Sequence, residues 1–438
     1  MTFVEMIESA RSSATNRVVY FRAILLVIGL VLIPKAAEFS GLQFHTGPHK
    51  LVDFEGFYLA GQLVWRGAIG QAYHFVTLFP LQKALSSSET FQPWTYPPQF
   101  DVVVAPLALL PMGLAYGVFM ISTLAAYLAT LKRIAAENFV PVLMLLTPII
   151  VVTIGCGQNG FLTGTLIGLT CLGLLARTSL AGIPLGLMII KPHLAAAFAV
   201  YTLVNRRWGA ALAAAATVAA TSALATVVLG PAVWTDFLGG VKEARVFLDH
   251  GFYPYFRMVS VYAAVQSLGF SGFVASAAQV LVAIVSLGLV VLASHQLSPR
   301  QALGITAIAT FLISPYEYDY DLMTLGIGLG FLLPDLASLG TNGERLALYV
   351  STLSIGIFSI ALTVVSAASN PDEAIGEAAN FLSLGALALV VILVLTWRIL
   401  LRAGRTRNIE VSVHRPAYVL ANPPPTASPS SDRPALTV

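Results

Sequence analysis

The stretch Val140-Pro141-Val142-Leu143-Met144-Leu145-Leu146-Thr147-Pro148-Ile149-Ile150-Val151-Val152-Thr153-Ile154-Gly155 carries no charge, and its reading decides the fold. One apolar run of this length suits either a buried core helix or a membrane helix, so its recurrence along the chain is the deciding evidence. Residues 23–34, 161–176 and 384–397 repeat the pattern. Hydrophobic residues make up 57% of the 438 residues and charged residues only 10%, with a mean hydropathy of +0.81. Too little polar surface remains to solvate a globular domain, so the chain reads as an all-α polytopic membrane protein. A transmembrane β-barrel would show short alternating segments instead of long runs.

The net charge of +3 argues for neither nucleic acid nor an acidic partner. Cys156 and Cys171 show no ligand spacing and no disulfide framework, and read as small core residues. Arg11, Arg17 and Arg22 precede the first apolar run, which reads as a retained signal-anchor helix. Basic residues flank one set of segment ends, at Lys132-Arg133, Arg177, Arg206-Arg207, Arg300, Arg345, Arg398 and Arg402. The positive-inside rule makes those ends and both termini cytoplasmic, which requires an even number of passes, roughly ten to twelve. The uncertain passes lie around residues 184–204 and 302–334.

The opposite ends then face outward and hold most of the polar chemistry, in residues 38–101, 155–160, 230–271, 314–321 and 368–377. Residues 53–65 read as an amphipathic helix lying in the outer interface, with Phe57, Ala60, Gly61 and Val64 on one stripe. Residues 1–402 form the membrane-embedded domain. Residues 403–438, with Asn422-Pro423-Pro424-Pro425, read as a disordered cytoplasmic tail.

Asp53 and Glu55, in Asp53-Phe54-Glu55-Gly56-Phe57-Tyr58, stand out because a carboxylate at the edge of hydrocarbon is costly and tends to be functional. Two compatible readings stand for Asp53: a helix cap accepting backbone N–H bonds, and a fixed carboxylate acting as general base. Trp94, Thr95, Tyr96 and Pro97-Pro98 form a stiff re-entry into the membrane, where an anchoring Trp is also ordinary. The turn Gly155-Cys156-Gly157-Gln158-Asn159-Gly160 offers two amides and, through its glycines, bare backbone N–H groups to a hydroxylated or phosphorylated ligand; a plain hairpin explains it as well.

Lys191-Pro192-His193 interrupts an apolar run, as helices do where they line a cavity, and the lysine wants an anion. In Ser314-Pro315-Tyr316-Glu317-Tyr318-Asp319-Tyr320-Asp321, aromatics alternate with acids, an arrangement that suits a sugar: rings stack on it and carboxylates accept from its hydroxyls. Lys242, Arg245, His250 and Arg257 break the positive-inside pattern and could hold the phosphate of a lipid carrier. No P-loop, zinc spacing, nucleophile elbow or dinucleotide fingerprint is present.

In their order, these motifs resemble the GT87-type (DUF2029) family of polytopic glycosyltransferases, members of the GT-C class. The resemblance runs from Asp53-Phe54, Phe57-Tyr58 and Ala60-Gly61 through Tyr73, Tyr96-Pro97-Pro98 and Ala105-Pro106-Leu107-Ala108. It continues in Gly157-Gln158-Asn159, Lys191-Pro192, Arg206-Arg207-Trp208 and Ser314-Pro315, and thins out after Asp321. It implies a GT-C-like bundle in a bacterial inner membrane that moves a hexose from a polyprenyl-phosphate donor to an envelope glycan or glycolipid acceptor. The transfer would be inverting and extracytoplasmic, with Asp53 as base. Glu55, Tyr58, Tyr96, Gln158, Asn159, Lys191, His193, Arg257, Tyr316, Glu317 and Asp319 are the expected substrate-binding residues.

Tyr316 to Tyr320 stand where the family often carries Trp and His, which leaves no histidine there for a second role. No cofactor or metal is required by this reading, although Glu317 and Asp319 offer ligands. A lipid-linked-sugar flippase is the main rival, because it too needs broken helices and intramembrane charge. A non-catalytic scaffold would make the polar clusters dispensable.

Overall fold

Each long apolar run forms a helix, because backbone groups in hydrocarbon must bond within their own segment. A computed structural model of the chain describes residues 2–41, 51–89, 91–368 and 381–413. The helices are α1 (Phe3–Ser12), α2 (Ala14–Phe39), α3 (Asp53–Trp65), α4 (Phe75–Ser86), α5 (Pro98–Val104) and α6 (Met112–Ala135). There follow α7 (Phe139–Cys156), α8 (Gly160–Leu175), α9 (Gly182–Leu187), α10 (Pro192–Val204), α11 (Trp208–Leu229) and α12 (Val233–Asp249). The last are α13 (Val261–Ser267), α14 (Gly272–Gln296), α15 (Pro299–Ala309), α16 (Met323–Leu339), α17 (Asn342–Ala368) and α18 (Gly385–Val413). Among the described residues there is no strand, only an isolated bridge between Met258 and Tyr318.

Among the described residues seven stretches are long and apolar enough to cross a membrane, so the protein is multi-pass. One of them, Met112–Cys156, is a hairpin: the Tyr116 hydroxyl near the start of α6 donates to the Ile154 carbonyl near the end of α7, at 2.7 Å. The ten to twelve passes expected from sequence exceed these seven stretches; the remaining apolar helices, Pro98–Leu109, Gly160–Leu175, Ser179–Ile190 and Pro192–Val204, are 10–17 residues long. Central helices α7 and α16 bury Leu145, Ile149, Leu325 and Ile327. Peripheral α2, α11 and α14 expose Leu30, Val227 and Ile284, an arrangement that water would penalise and lipid tails accept.

The two ends of the bundle differ in chemistry. At one end Arg345 pairs with Glu8 (2.6 Å), Arg402 with Glu344 (2.9 Å) and Arg300 with Asp335 (2.6 Å), gathering several of the flanking arginines read from the sequence. At the other end α3, the 155–160 turn, the break at Lys191 and the 314–321 segment come together.

Helix α3 does not lie on the surface. Its Phe54, Phe57, Ala60 and Leu63 are buried, and Phe54 packs edge-on against Tyr116 with centroids 5.2 Å apart. Of the stripe read as interfacial, Phe57, Ala60 and Gly61 therefore face protein and Val64 is partly buried. The final helix continues to Val413. The rest of the segment read as a tail, 414–438, and the 369–377 part of the expected polar loop lie outside the described residues.

Candidate active site

A cavity of about 1060 Å³ opens among α3, the 91–97 loop, the Lys191 break, α12 and residues 252–257 and 316–321. Asp53, the first residue of α3, keeps part of its surface exposed to it. Asp53 does not cap its own helix. The N-cap is Val52, whose N–H donates to Glu55 Oε2 at 2.9 Å, so Glu55 does the capping and is buried behind the cavity wall. Asp53 Oδ1 is left to accept from Gln158 Nε2 at 2.9 Å.

That contact depends on the turn. Gly157 ends α7 at φ +67, and an added Cβ would meet Phe54 Cβ at 2.5 Å, so only glycine lets the turn press against α3 and bring Gln158 to Asp53. Gln158 Oε1 accepts from the Tyr96 hydroxyl and from Asn159 N–H, both at 3.0 Å. The turn offers no bare N–H at Gly157, Gln158 or Asn159, because these donate to Ile154, Thr153 and Gln158. Its contribution to the cavity is side chain, not backbone. Burial pushes the Asp53 carboxyl above its ordinary range; the nearby Arg257 charge and the Gln158 hydrogen bond oppose this.

The break at Lys191 follows from the proline after it. A residue before proline is driven out of the helical region, and Lys191 sits at φ −141, ψ 75 with Pro192 opening α10. Its ammonium donates to Asp321 Oδ1 at 2.6 Å and lies 4.8 Å from the Tyr320 ring centroid. Arg257 grips Asp319 with Nε at 3.1 Å and Nη2 at 3.0 Å, and its Nη2 also reaches Cys156 Sγ at 3.1 Å. Asp319 is held further by Ser359 and by the Tyr320 N–H.

Tyr318 is extended beside Met258, with Val259 N–H donating to Glu317 O at 2.8 Å, and the chain then closes into a 3-10 turn over Asp319–Leu322. Tyr316, Tyr318 and Tyr320 line the cavity, and the last two stack with centroids 5.2 Å apart. Glu317 and Asp319 are fully buried on the other side. The expected arrangement of rings and acids around one sugar is thus corrected: the rings face the cavity, while Asp319 fixes Arg257.

Of the residues expected at the site, Asp53, Tyr96, Gln158, Lys191, His193, Arg257 and Tyr316 are brought to the cavity. Tyr58 donates to the Leu110 carbonyl at 2.9 Å and Asn159 is fully buried; neither lines it. Lys242 is exposed on α12 outside the cavity, Arg245 pairs with Asp249 at 3.0 Å, and the His250 ring turns to the Val246 carbonyl. Cys156, read as core, is a cavity residue.

Three groups were not among the residues expected at the site. Asp321 is the partner of Lys191. Asp101 is buried and accepts from Tyr73 at 2.6 Å and Trp94 at 2.9 Å, which ties the 91–97 loop to α5. Phe75, Phe91 and Phe247 give the cavity an aromatic arm, with Phe75 and Phe91 4.8 Å apart. Asp101, three residues after the Pro97-Pro98 re-entry, was a visible signal for the second.

The arrangement presents an oriented carboxylate, a buried lysine and a partly buried arginine each fixed by a carboxylate, and an aromatic wall around one cavity. A family model described as glycosyltransferase family 87 matches residues 94–315. No curated protein and no solved structure matches.

Proposed function

From the chain's membership of glycosyltransferase family 87, we propose that it transfers a hexose from a polyprenyl-phosphate donor to an envelope glycan or glycolipid, with inversion, on the extracytoplasmic face of a bacterial inner membrane. The observation that carries the reading is that Asp53, oriented by Gln158, shares one cavity with Lys191 and Arg257. In this reading Asp53 takes the proton of an acceptor hydroxyl as its oxygen bonds to the anomeric carbon. The bond from that carbon to the phosphate oxygen breaks, and polyprenyl phosphate leaves with the electron pair.

A phosphate leaving group needs little protonation, but its growing charge needs fixed cations, which cost no reorganisation during the step. Lys191 and Arg257 suit that task because Asp321 and Asp319 already hold them in place, while each keeps N–H groups beyond those bonds. Tyr316, Tyr318 and Tyr320 offer ring faces to the sugar, and the Phe75, Phe91 and Phe247 arm suits an isoprenoid chain. The arginine-rich end of the bundle, with Arg300, Arg345 and Arg402, would face the cytoplasm and the cavity the other side.

The test is transfer of labelled hexose from its polyprenyl phosphate to an acceptor extract by the purified protein and by Asp53→Asn. Loss of about 100-fold or more is expected for removal of a positioned base. Unchanged transfer removes Asp53 from the mechanism, and lipid movement without transfer points to a flippase.

A further inference from the structure

One buried group beside the cavity has no role in that transfer. Glu317 is 0% exposed, and neither of its carboxylate oxygens has a hydrogen-bond partner. His193 Nε2 is also without one, 3.9 Å from Glu317 Oε1, too far for a hydrogen bond. With Asp321 they complete a triangle in which one ligand atom from each lies within 4.8 Å of the others.

A carboxylate removed from water needs a donor or a cation, and a protonated one needs an acceptor for its O–H. Glu317 has neither donor nor acceptor within reach. A metal ion bound at roughly 2.0–2.2 Å from each ligand fits between groups with this spacing after a small contraction. The charge count agrees: Asp53, Glu317, Asp319 and Asp321 face Lys191 and Arg257, leaving the carboxylates in excess. Asp321 uses one oxygen for Lys191 and has a second to offer.

We propose that His193, Glu317 and Asp321 bind one divalent transition-metal ion at the cavity wall. An imidazole with two carboxylates favours manganese or zinc over magnesium and calcium, which take oxygen ligands. Three protein ligands leave coordination positions free, and because His193 and Asp321 line the cavity those positions open onto it. The ligand class they suit is a phosphate or hydroxyl oxygen of substrate. This departs from the metal-free expectation drawn from sequence.

The experiment is Mn²⁺ titration of the full chain, purified in detergent and stripped with chelator, followed by electron paramagnetic resonance of the free ion. One ion bound per chain is expected, weakened by at least about 10-fold in Glu317→Gln and in His193→Gln, with Zn²⁺ competing. The ion should also raise the melting temperature of the wild type and not of the variants. His193→Gln, at a partly exposed position, serves if Glu317→Gln fails to fold. No binding by the wild type, or equal binding by a folded variant, overturns the site. Binding is read without turnover, so its failure leaves the transferase reading standing.

Discussion

Gln158 Nε2 donates to Asp53 Oδ1 at 2.9 Å while Gln158 Oε1 accepts from the Tyr96 hydroxyl at 3.0 Å. An amide has one donor end and one acceptor end, so the Tyr96 hydroxyl and the Asn159 N–H oblige Gln158 to turn its NH₂ toward Asp53. In the proposed mechanism Gln158 is a positioning residue: its hydrogen bond aims the Asp53 carboxylate and favours its charged form. Burial, the largest influence, pushes the Asp53 carboxyl up; Arg257 and then Gln158 draw it down.

The sign of the resulting pH effect follows. In the proposed mechanism Asp53 works as base only when ionised, so activity should fall as pH drops through its pKa. Gln158→Met removes a hydrogen bond that lowers that pKa, and the acid limb of kcat/KM should move to higher pH with the plateau largely kept. A limb that stays in place while the plateau collapses would mean Gln158 is structural only.

Arg257→Lys keeps a positive charge but loses the two-pronged grip on Asp319. The expected cost is about 1.5–3 kcal/mol in kcat/KM, as for hydrogen bonds to charged groups. Lys242→Ala is the matched control, because that side chain lies outside the cavity and should leave kinetics unchanged. Wild-type kinetics for Arg257→Lys, or a large defect for Lys242→Ala, would reverse the assignment of cations.

The fold was legible because runs such as 140–155 admit one reading once they recur, and the place of Asp53 at a cavity was legible because a carboxylate stands out in a chain so poor in charge. The pairing of Lys191 with Asp321 was not legible: the residues are 130 apart in sequence, and either could have met another partner. Glu55 and Asp53 share a helix turn, and which of them caps it depends on Gln158, contributed from 105 residues beyond Asp53. The tyrosine–acid alternation was visible, but only the packing of residues 316–320 against 258–259 decides that the rings face the cavity. Cys156 was read as core because an apolar neighbourhood in sequence does not distinguish a helix end at a cavity from one inside the bundle.

His74 joins α4 to α12: its Nδ1 lies 3.0 Å from Glu243 Oε1, its Nε2 3.7 Å from Asp236, and Phe75 N–H donates to Glu243 at 2.8 Å. The hydrogen bond to Glu243 is the main cause that raises the His74 pKa above 6.5. A group with a raised folded pKa stabilises fully below its unfolded value and loses that contribution as pH rises through the folded value. Amide exchange in α12 should therefore speed up above about pH 6.5, and His74→Gln should flatten the response. The partly exposed setting keeps the effect modest. An α12 exchange profile with the same pH dependence in both proteins would exclude His74 as its origin.

Gly160 opens α8 directly against the Tyr320 carbonyl, and a Cβ there would run into that backbone oxygen. A flexible side chain could swing aside; a carbonyl within the 319–322 turn moves only by shifting Asp319 and Asp321, and with them the contacts to Arg257 and Lys191. Gly160→Ala should cost about 1–3 kcal/mol of stability and lower transfer further than the loss of folded protein explains. Gly117 on α6 has nothing within 4 Å, so Gly117→Ala should be neutral or stabilising by about 0.4–1 kcal/mol. Melting curves in detergent with parallel transfer assays separate the two. If both variants melt and react alike, the close approach of α8 to residue 320 does not hold the site in place.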